Sequence, residues 1–171
     1  MIVDRTNKYK GFISVDELTV KTKKGKEVKR EVMVRKNAVA ALVYDTNKKV
    51  YVLCSQWRPG SASDIVEIVA GTLDKPGEDP RDAMEREILE EIGYKTDSIK
   101  LIDECYMSPG GTSEIITIYY AEVSNQIEEG GGHASENEEI DIVYMDKEEL
   151  LSTRFRDAKT IIAINWAKLN G

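Results

Sequence analysis

Apolar positions fall in short runs of differing density, and each kind of run predicts a different element. Phe12 to Val20 and Glu27 to Val34 interleave apolar with charged residues and are separated by Lys23-Lys24-Gly25-Lys26. They read as two strands joined by a turn, a small antiparallel unit with little core of its own. Asn37 to Tyr44 and Lys49 to Gln56 are richer in Val, Leu and Ala, as central strands are, with Asp45-Thr46-Asn47-Lys48 turning between them. Asp64 to Ala70 predicts a further strand running into Gly71.

The period then changes. Asp79 is a candidate N-cap, Pro80 suits the first helical position, and Gly93 supplies a stop, so a helix is predicted between them. Ser98 to Met107 and Ser113 to Val123 read as strands flanking the turn Ser108-Pro109-Gly110-Gly111. Asn125 to Glu138 is glycine-rich, acidic and without periodicity, a loop long enough to be functional or disordered. Ile140 to Met145 predicts a strand, Asp146 opens a short helix, and Arg156 to Leu169 forms a last helix carrying Ile161, Ile162, Ile164 and Trp166. Mixed strands around one helix, closed by another, predict an α/β/α sandwich. Residues 1–36 form the appended β unit and 37–171 the main domain.

Composition narrows the function classes. At 171 residues, 41% hydrophobic and 32% charged, the chain can bury a real core. Its net charge of −7 argues against a nucleic-acid partner, which needs a basic stripe. No apolar run approaches the roughly 18 residues of a membrane span, and Met-Ile-Val-Asp-Arg-Thr has no signal-peptide pattern. Cys54 and Cys105 stand in separate apolar stretches without C-x-x-C spacing, as buried reduced thiols do. The expectation is a cytoplasmic protein binding neither membrane nor nucleic acid.

Chemistry concentrates on the first predicted helix. At 100° per residue from Met84, Glu87, Glu90 and Glu91 fall at roughly 300°, 240° and 340°, one arc of about 100°. Ile88, Ile92 and Leu89 make an apolar stripe beside it at about 40°, 80° and 140°. Like charges at this spacing weaken a helix by a few tenths of a kcal/mol, a cost that a hard divalent cation would reverse. A solvated acidic face is the other reading, and the bare E-x-x-E-E pattern leaves both open.

The flanks carry a resemblance. Residues 71–94 resemble the Nudix box, G-x5-E-x7-R-E-U-x-E-E-x-G-U, with Glu78, Arg86, Glu87, Ile88, Glu90, Glu91, Gly93 and Tyr94 in place. Six residues rather than five separate Gly71 from Glu78, and Lys75-Pro76-Gly77 can absorb the extra one in a turn. Gln56-Trp57-Arg58, Glu67-Ile68-Val69-Ala70-Gly71, Ser108-Pro109-Gly110-Gly111-Thr112-Ser113-Glu114, Glu136-Asn137-Glu138-Glu139-Ile140 and Asp157-Ala158-Lys159-Thr160 are similar, in order, to segments of the ADP-ribose and nucleoside-diphosphate-sugar pyrophosphatases of that superfamily. The resemblance implies a Nudix α/β/α sandwich and hydrolysis of a diphosphate bond with Mg²⁺, or alternatively Mn²⁺. It implies metal ligands at the Ala70 carbonyl, Glu87, Glu90, Glu91 and Glu138. Glu136 would be the general base, and Arg86 would hold the box carboxylates in position.

Arg30, Arg35 and Arg58 are candidates for the diphosphate and its nucleoside or sugar, since guanidinium matches phosphate bidentately. Arg35 reads equally as a surface charge. Glu67 and Glu114 either meet substrate or pair within the fold. His133 reads as a solvated loop residue, and Trp57 as core packing rather than a base-stacking platform. The resemblance also implies a homodimer whose N-terminal strands cross to the partner. The turn Ser108–Glu114 and the acidic loop lean towards ADP-ribose, with GDP-mannose the rival substrate. A non-catalytic nucleotide-binding Nudix module is the alternative from another class, although such modules typically lose the box carboxylates that are present here.

Overall fold

A computed structural model describes residues 1–132 and 139–170. The chain divides into two compact units: Met1–Asn37 with Cys105–Ile115, and Ala38–Glu104 with Ile116–Gly171.

The first unit is built on a three-stranded antiparallel sheet of β1 (Ile2–Lys10), β2 (Ser14–Lys21) and β3 (Glu27–Val34), in that order. β2 and β3 follow the predicted pair, but β1 has no counterpart in the sequence reading. All nine of its residues are exposed, so no burial pattern marks it; pairing with β2 holds it extended. Beyond β3 the chain is stitched to residues 111–115. Met33 N–H donates to Gly111 O, Ser113 N–H to Met33 O, and Ile115 N–H to Asn37 Oδ1.

The second unit holds the core. β4 (Ala38–Asp45) lies parallel to β9 (Ile115–Gln126) and antiparallel to β5 (Val50–Arg58), which in turn pairs antiparallel with β10 (Asp141–Met145). β8 (Tyr94–Tyr106) lies beside β9, giving the path β10-β5-β4-β9-β8, while β6 (Ser63–Glu67) pairs with β5 and β7 (Val69–Thr72) with β4. β4 is buried on both faces. Val39, Ala41 and Val43 pack with Ala83, Met84, Ile88 and Ile92 of α1 (Pro80–Ile92). The alternate residues Ala40 and Leu42 point the other way, and α3 (Ala158–Asn170) also packs on β4. Two helices with a mixed sheet make the expected sandwich; α2 (Lys147–Ser152) is a short addition capped by Asp146.

Several expectations are corrected. The strand predicted over 64–70 is two strands, because β6 follows β5 and β7 leaves it for β4. Trp57 is 58% exposed and is no part of the core. The buried side of α1 is Ala83, Met84, Ile88, Glu91 and Ile92, with Leu89 only half-buried, so packing centres nearer Glu91 than the apolar residues alone suggested. Cys54 is a buried thiol, whereas Cys105 is half-buried. Ile161 is 41% exposed although it sits in an apolar helix. Among the described residues no helix is long and apolar enough to cross a membrane.

Candidate functional site

In the second unit, β7 delivers Ala70 and Gly71 to the side of α1. A Cβ on Gly71 would overlap the Glu87 carboxyl, so glycine lets the strand pass this close with that carboxyl undisplaced. The chain then turns at Lys75–Glu78, where Glu78 N–H donates to Lys75 O at 3.2 Å and Gly77 is left-handed at φ 78°. Pro followed by a positive-φ glycine is the sequence that a type II turn takes, and it accommodates the extra residue before Glu78. The Asp79 carboxylate accepts from Arg81 N–H at 2.8 Å and starts α1; Gly93, at φ 75°, ends it.

Arg86 gathers the acidic groups of this segment. Its Nε and Nη2 donate to Glu78 at 3.2 and 3.4 Å, and its Nη1 lies 2.8 Å from both Glu87 Oε1 and Glu90 Oε2. Burial works to lower the Arg86 pKa, but the hydrogen bond to Glu78 and the charges of Glu87 and Glu90 outweigh it and raise the value. Arg86 is therefore a fixed cation that offsets the repulsion among the box carboxylates.

Glu91 lies deeper, 6% exposed on the core face of α1. Its Oε2 accepts from Ala70 N–H at 3.3 Å and from the Cys54 thiol at 3.5 Å. Burial, then the neighbouring Glu91 and Glu67 charges, push the Cys54 pKa well up. Glu67, opposite Cys54 in the β5–β6 ladder, is 4% exposed and takes Arg58 Nε on one oxygen at 2.5 Å and the buried Lys159 ammonium on the other. Lys159 also lies 3.1 Å from Asp157. Asp157 accepts from Thr160 Oγ1 at 2.6 Å, and Thr160 Oγ1 accepts from Ile68 N–H at 2.9 Å. The first turn of α3 thus anchors the chain where β6 gives way to β7. Glu67 pairs within the fold, as one of its two readings had it.

Lys159 and Cys54 were not singled out for this site from sequence. Lys159 stands in the quoted Asp157–Thr160 segment, where an ammonium on an otherwise apolar helix was the available signal. Cys54 gave no signal beyond membership of an apolar strand.

The remaining candidates lie elsewhere. Arg30 is exposed on β3 and donates to Lys29 O at 2.8 Å, while Arg35 Nε pairs with Glu114 Oε1 at 2.9 Å; all three belong to the first unit. Glu136, Glu138 and His133 lie outside the described residues. The approach to them is ordered, contrary to the expectation of a structureless 125–138. Ile127 and Glu128 N–H donate to Gly93 O, Gly131 N–H to Glu91 O, and Gly132 N–H to Glu90 O, so the glycine run covers the C-terminal carbonyls of α1.

Among the described residues no three Asp, Glu, His or Cys side chains form a metal cluster by themselves. The donor chemistry nevertheless fits a hard divalent cation. Two carboxylate oxygens already share one positive nitrogen of Arg86, with Glu91 and the Ala70 backbone alongside, and all the donors are oxygen.

A family model described as NUDIX domain matches residues 34–163. The chain belongs to the Nudix hydrolase family. Nudix hydrolases generally use divalent metal ions, in keeping with that donor set. The GDP-mannose pyrophosphatase of Escherichia coli strain K12 is 34% identical over 158 residues, covering 85% of this Nudix chain and 82% of the relative. The GDP-mannose pyrophosphatase of Shigella dysenteriae serotype 1 strain Sd197 is 32% identical over 162 residues, covering 87% and 84%. The crystal structure of an ADP compounds hydrolase superposes with a TM-score of 0.81 at 20% identity, covering 99% of this chain and 92% of that one. At that identity the likeness speaks for the Nudix fold alone.

Proposed function

We propose that this protein hydrolyses the diphosphate bond of a nucleoside diphosphate sugar, releasing a nucleoside monophosphate and a sugar phosphate, with GDP-mannose as the first substrate to test. One observation carries the reading: α1 keeps Glu87 and Glu90 on a fixed Arg86 and Glu91 on the Ala70 amide, beside a glycine of β7 that lies against the Glu87 carboxyl. GDP-mannose is preferred because the curated relatives matched over most of the chain act on it. ADP-ribose is the second substrate, favoured by the resemblance of the Ser108–Glu114 turn.

In this reading the Ala70 carbonyl, Glu87, Glu90, Glu91 and Glu138 hold Mg²⁺, or Mn²⁺ in its place. Bound there, the cation supplies charge neutralisation of the diphosphate and Lewis acidity. Arg86 keeps the carboxylates oriented. Arg58, paired with Glu67, is the candidate for phosphate oxygens, and Arg30, Arg35 and Glu114 are the first unit's candidates for the nucleoside or sugar. Glu136 takes the proton of the attacking water. The protein works in the cytoplasm as a homodimer joined through its first unit, where Met1, Ile2, Val3, Tyr9 and Phe12 expose apolar surface.

The test is turnover on GDP-mannose, ADP-ribose, ADP-glucose and UDP-glucose with Mg²⁺ or Mn²⁺, read as phosphate released by a coupled phosphatase. Metal-dependent turnover on at least one is expected, and none on any would leave a nucleotide-binding module instead. Glu136→Gln is expected to lower kcat by about a hundredfold or more, the range for loss of a general base. Near-normal kcat in that variant removes Glu136 from the mechanism.

A further inference from the structure

A carboxylate on the core face of a helix needs hydrogen-bond donors to fix it, and two that reach Glu91 come from other elements. Ala70 N–H arrives from β7 at 3.3 Å and Cys54 Sγ from the middle of β5 at 3.5 Å, both on Oε2. Cys54 is 3% exposed, so its thiol has a settled environment rather than a solvated one. Removing the thiol takes away the donor that β5 supplies to Oε2.

We infer that Cys54 is a positioning residue for the cation-binding site: its Sγ–H donates to Glu91 Oε2 and, with the Ala70 amide, fixes the carboxylate rotamer that the ion requires. The inference rests on reading α1 as the cation-holding helix. Cys54 touches neither substrate nor reacting atoms. Its effect passes through Glu91, in the way partners behind a ligand tune metal affinity.

The experiment is a titration of substrate-free protein with Mn²⁺, followed by electron paramagnetic resonance, for the wild type and for Cys54→Ser, Cys54→Val and Cys54→Ala. Serine keeps a donor, valine keeps bulk without one, and alanine keeps neither. The Mn²⁺ dissociation constant is expected to rise about tenfold in Cys54→Val and Cys54→Ala, and to stay within about twofold of wild type in Cys54→Ser. In activity assays the metal requirement shifts in parallel, while kcat at saturating metal recovers. Wild-type affinity in Cys54→Val overturns the inference, as does Cys54→Ser binding no better than Cys54→Val. Should Cys54→Ala fail to fold, the serine–valine comparison decides by itself. Wild-type protein that binds no Mn²⁺ overturns the reading of α1 and this inference with it, whereas Mn²⁺ binding that ignores position 54 overturns the inference alone.

Discussion

Gly71 ties the backbone of β7 to the chemistry of α1, because a Cβ there would fall on the Glu87 carboxyl. Gly71→Ala is expected to displace that carboxylate and lower kcat about a hundredfold, as misplacement of a reacting group by about 1 Å can. Steady-state kinetics with Mg²⁺ check this, and unchanged kcat would mean that Glu87 tolerates displacement. Asp157 is sensitive to pH instead. Burial works to raise its pKa, but the Lys159 charge and two hydrogen bonds from Thr160 prevail and hold it below the ordinary aspartate value. Its contribution to stability is thus complete above the unfolded pKa of about 3.9 and is lost as pH falls through the folded value. Asp157→Asn should be less stable than wild type by about 1–3 kcal/mol near pH 6, with the gap closing below about pH 4. Urea unfolding at pH 6, 4 and 3 measures the difference, and a gap that widens on acidification contradicts the assignment.

At the scale of elements, α1 is defined by its ends. Asp79, Pro80 and Gly93 were legible as caps because capping is a local interaction between neighbours in sequence. The glycine run after β9 was not legible as a partner of that helix. It reads as a loop until Gly131 and Gly132 are seen donating to the carbonyls of Glu91 and Glu90, some forty residues earlier. Gly130 is left-handed at φ 71°, and a Cβ on it would lie 2.7 Å from Glu91 O. Gly130→Ala is therefore expected to destabilise the fold by about 1–3 kcal/mol. Chemical denaturation checks this, and an unchanged midpoint would show that the segment is not fastened to α1. Tyr94, which takes the last apolar position of the box, has a local reason too. Its hydroxyl donates to the buried Asp45 carboxylate at 2.9 Å and accepts from Lys48 Nζ at 2.6 Å, tying the start of β8 to the β4–β5 turn.

For the whole molecule, the first unit leaves β1 exposed along its length, with apolar side chains among its residues. Exposed strands and apolar patches of this kind are places where chains associate. Light scattering at micromolar concentration is expected to give twice the 19.2 kDa chain mass. Removing residues 1–37 should then yield a monomer, and a monomeric full-length chain would refute the homodimer.

The central strands, both ends of α1 and the arc of box glutamates followed from sequence, because density of apolar residues, capping and helical period are encoded within a few neighbouring positions. Spacing put these glutamates on one arc but left their role open, and the reading of them as cation ligands came from the resemblance of residues 71–94. Tertiary structure decided what each charge meets. Glu67 is claimed by Arg58 and by Lys159 ninety-two residues away, Glu91 by Cys54 and Ala70, and the break between β6 and β7 by Thr160. It also revealed β1, whose extended form rests on pairing with β2 rather than on any buried face. Contacts between distant segments leave no periodic trace in the chain, so only the packed molecule could assign these partners.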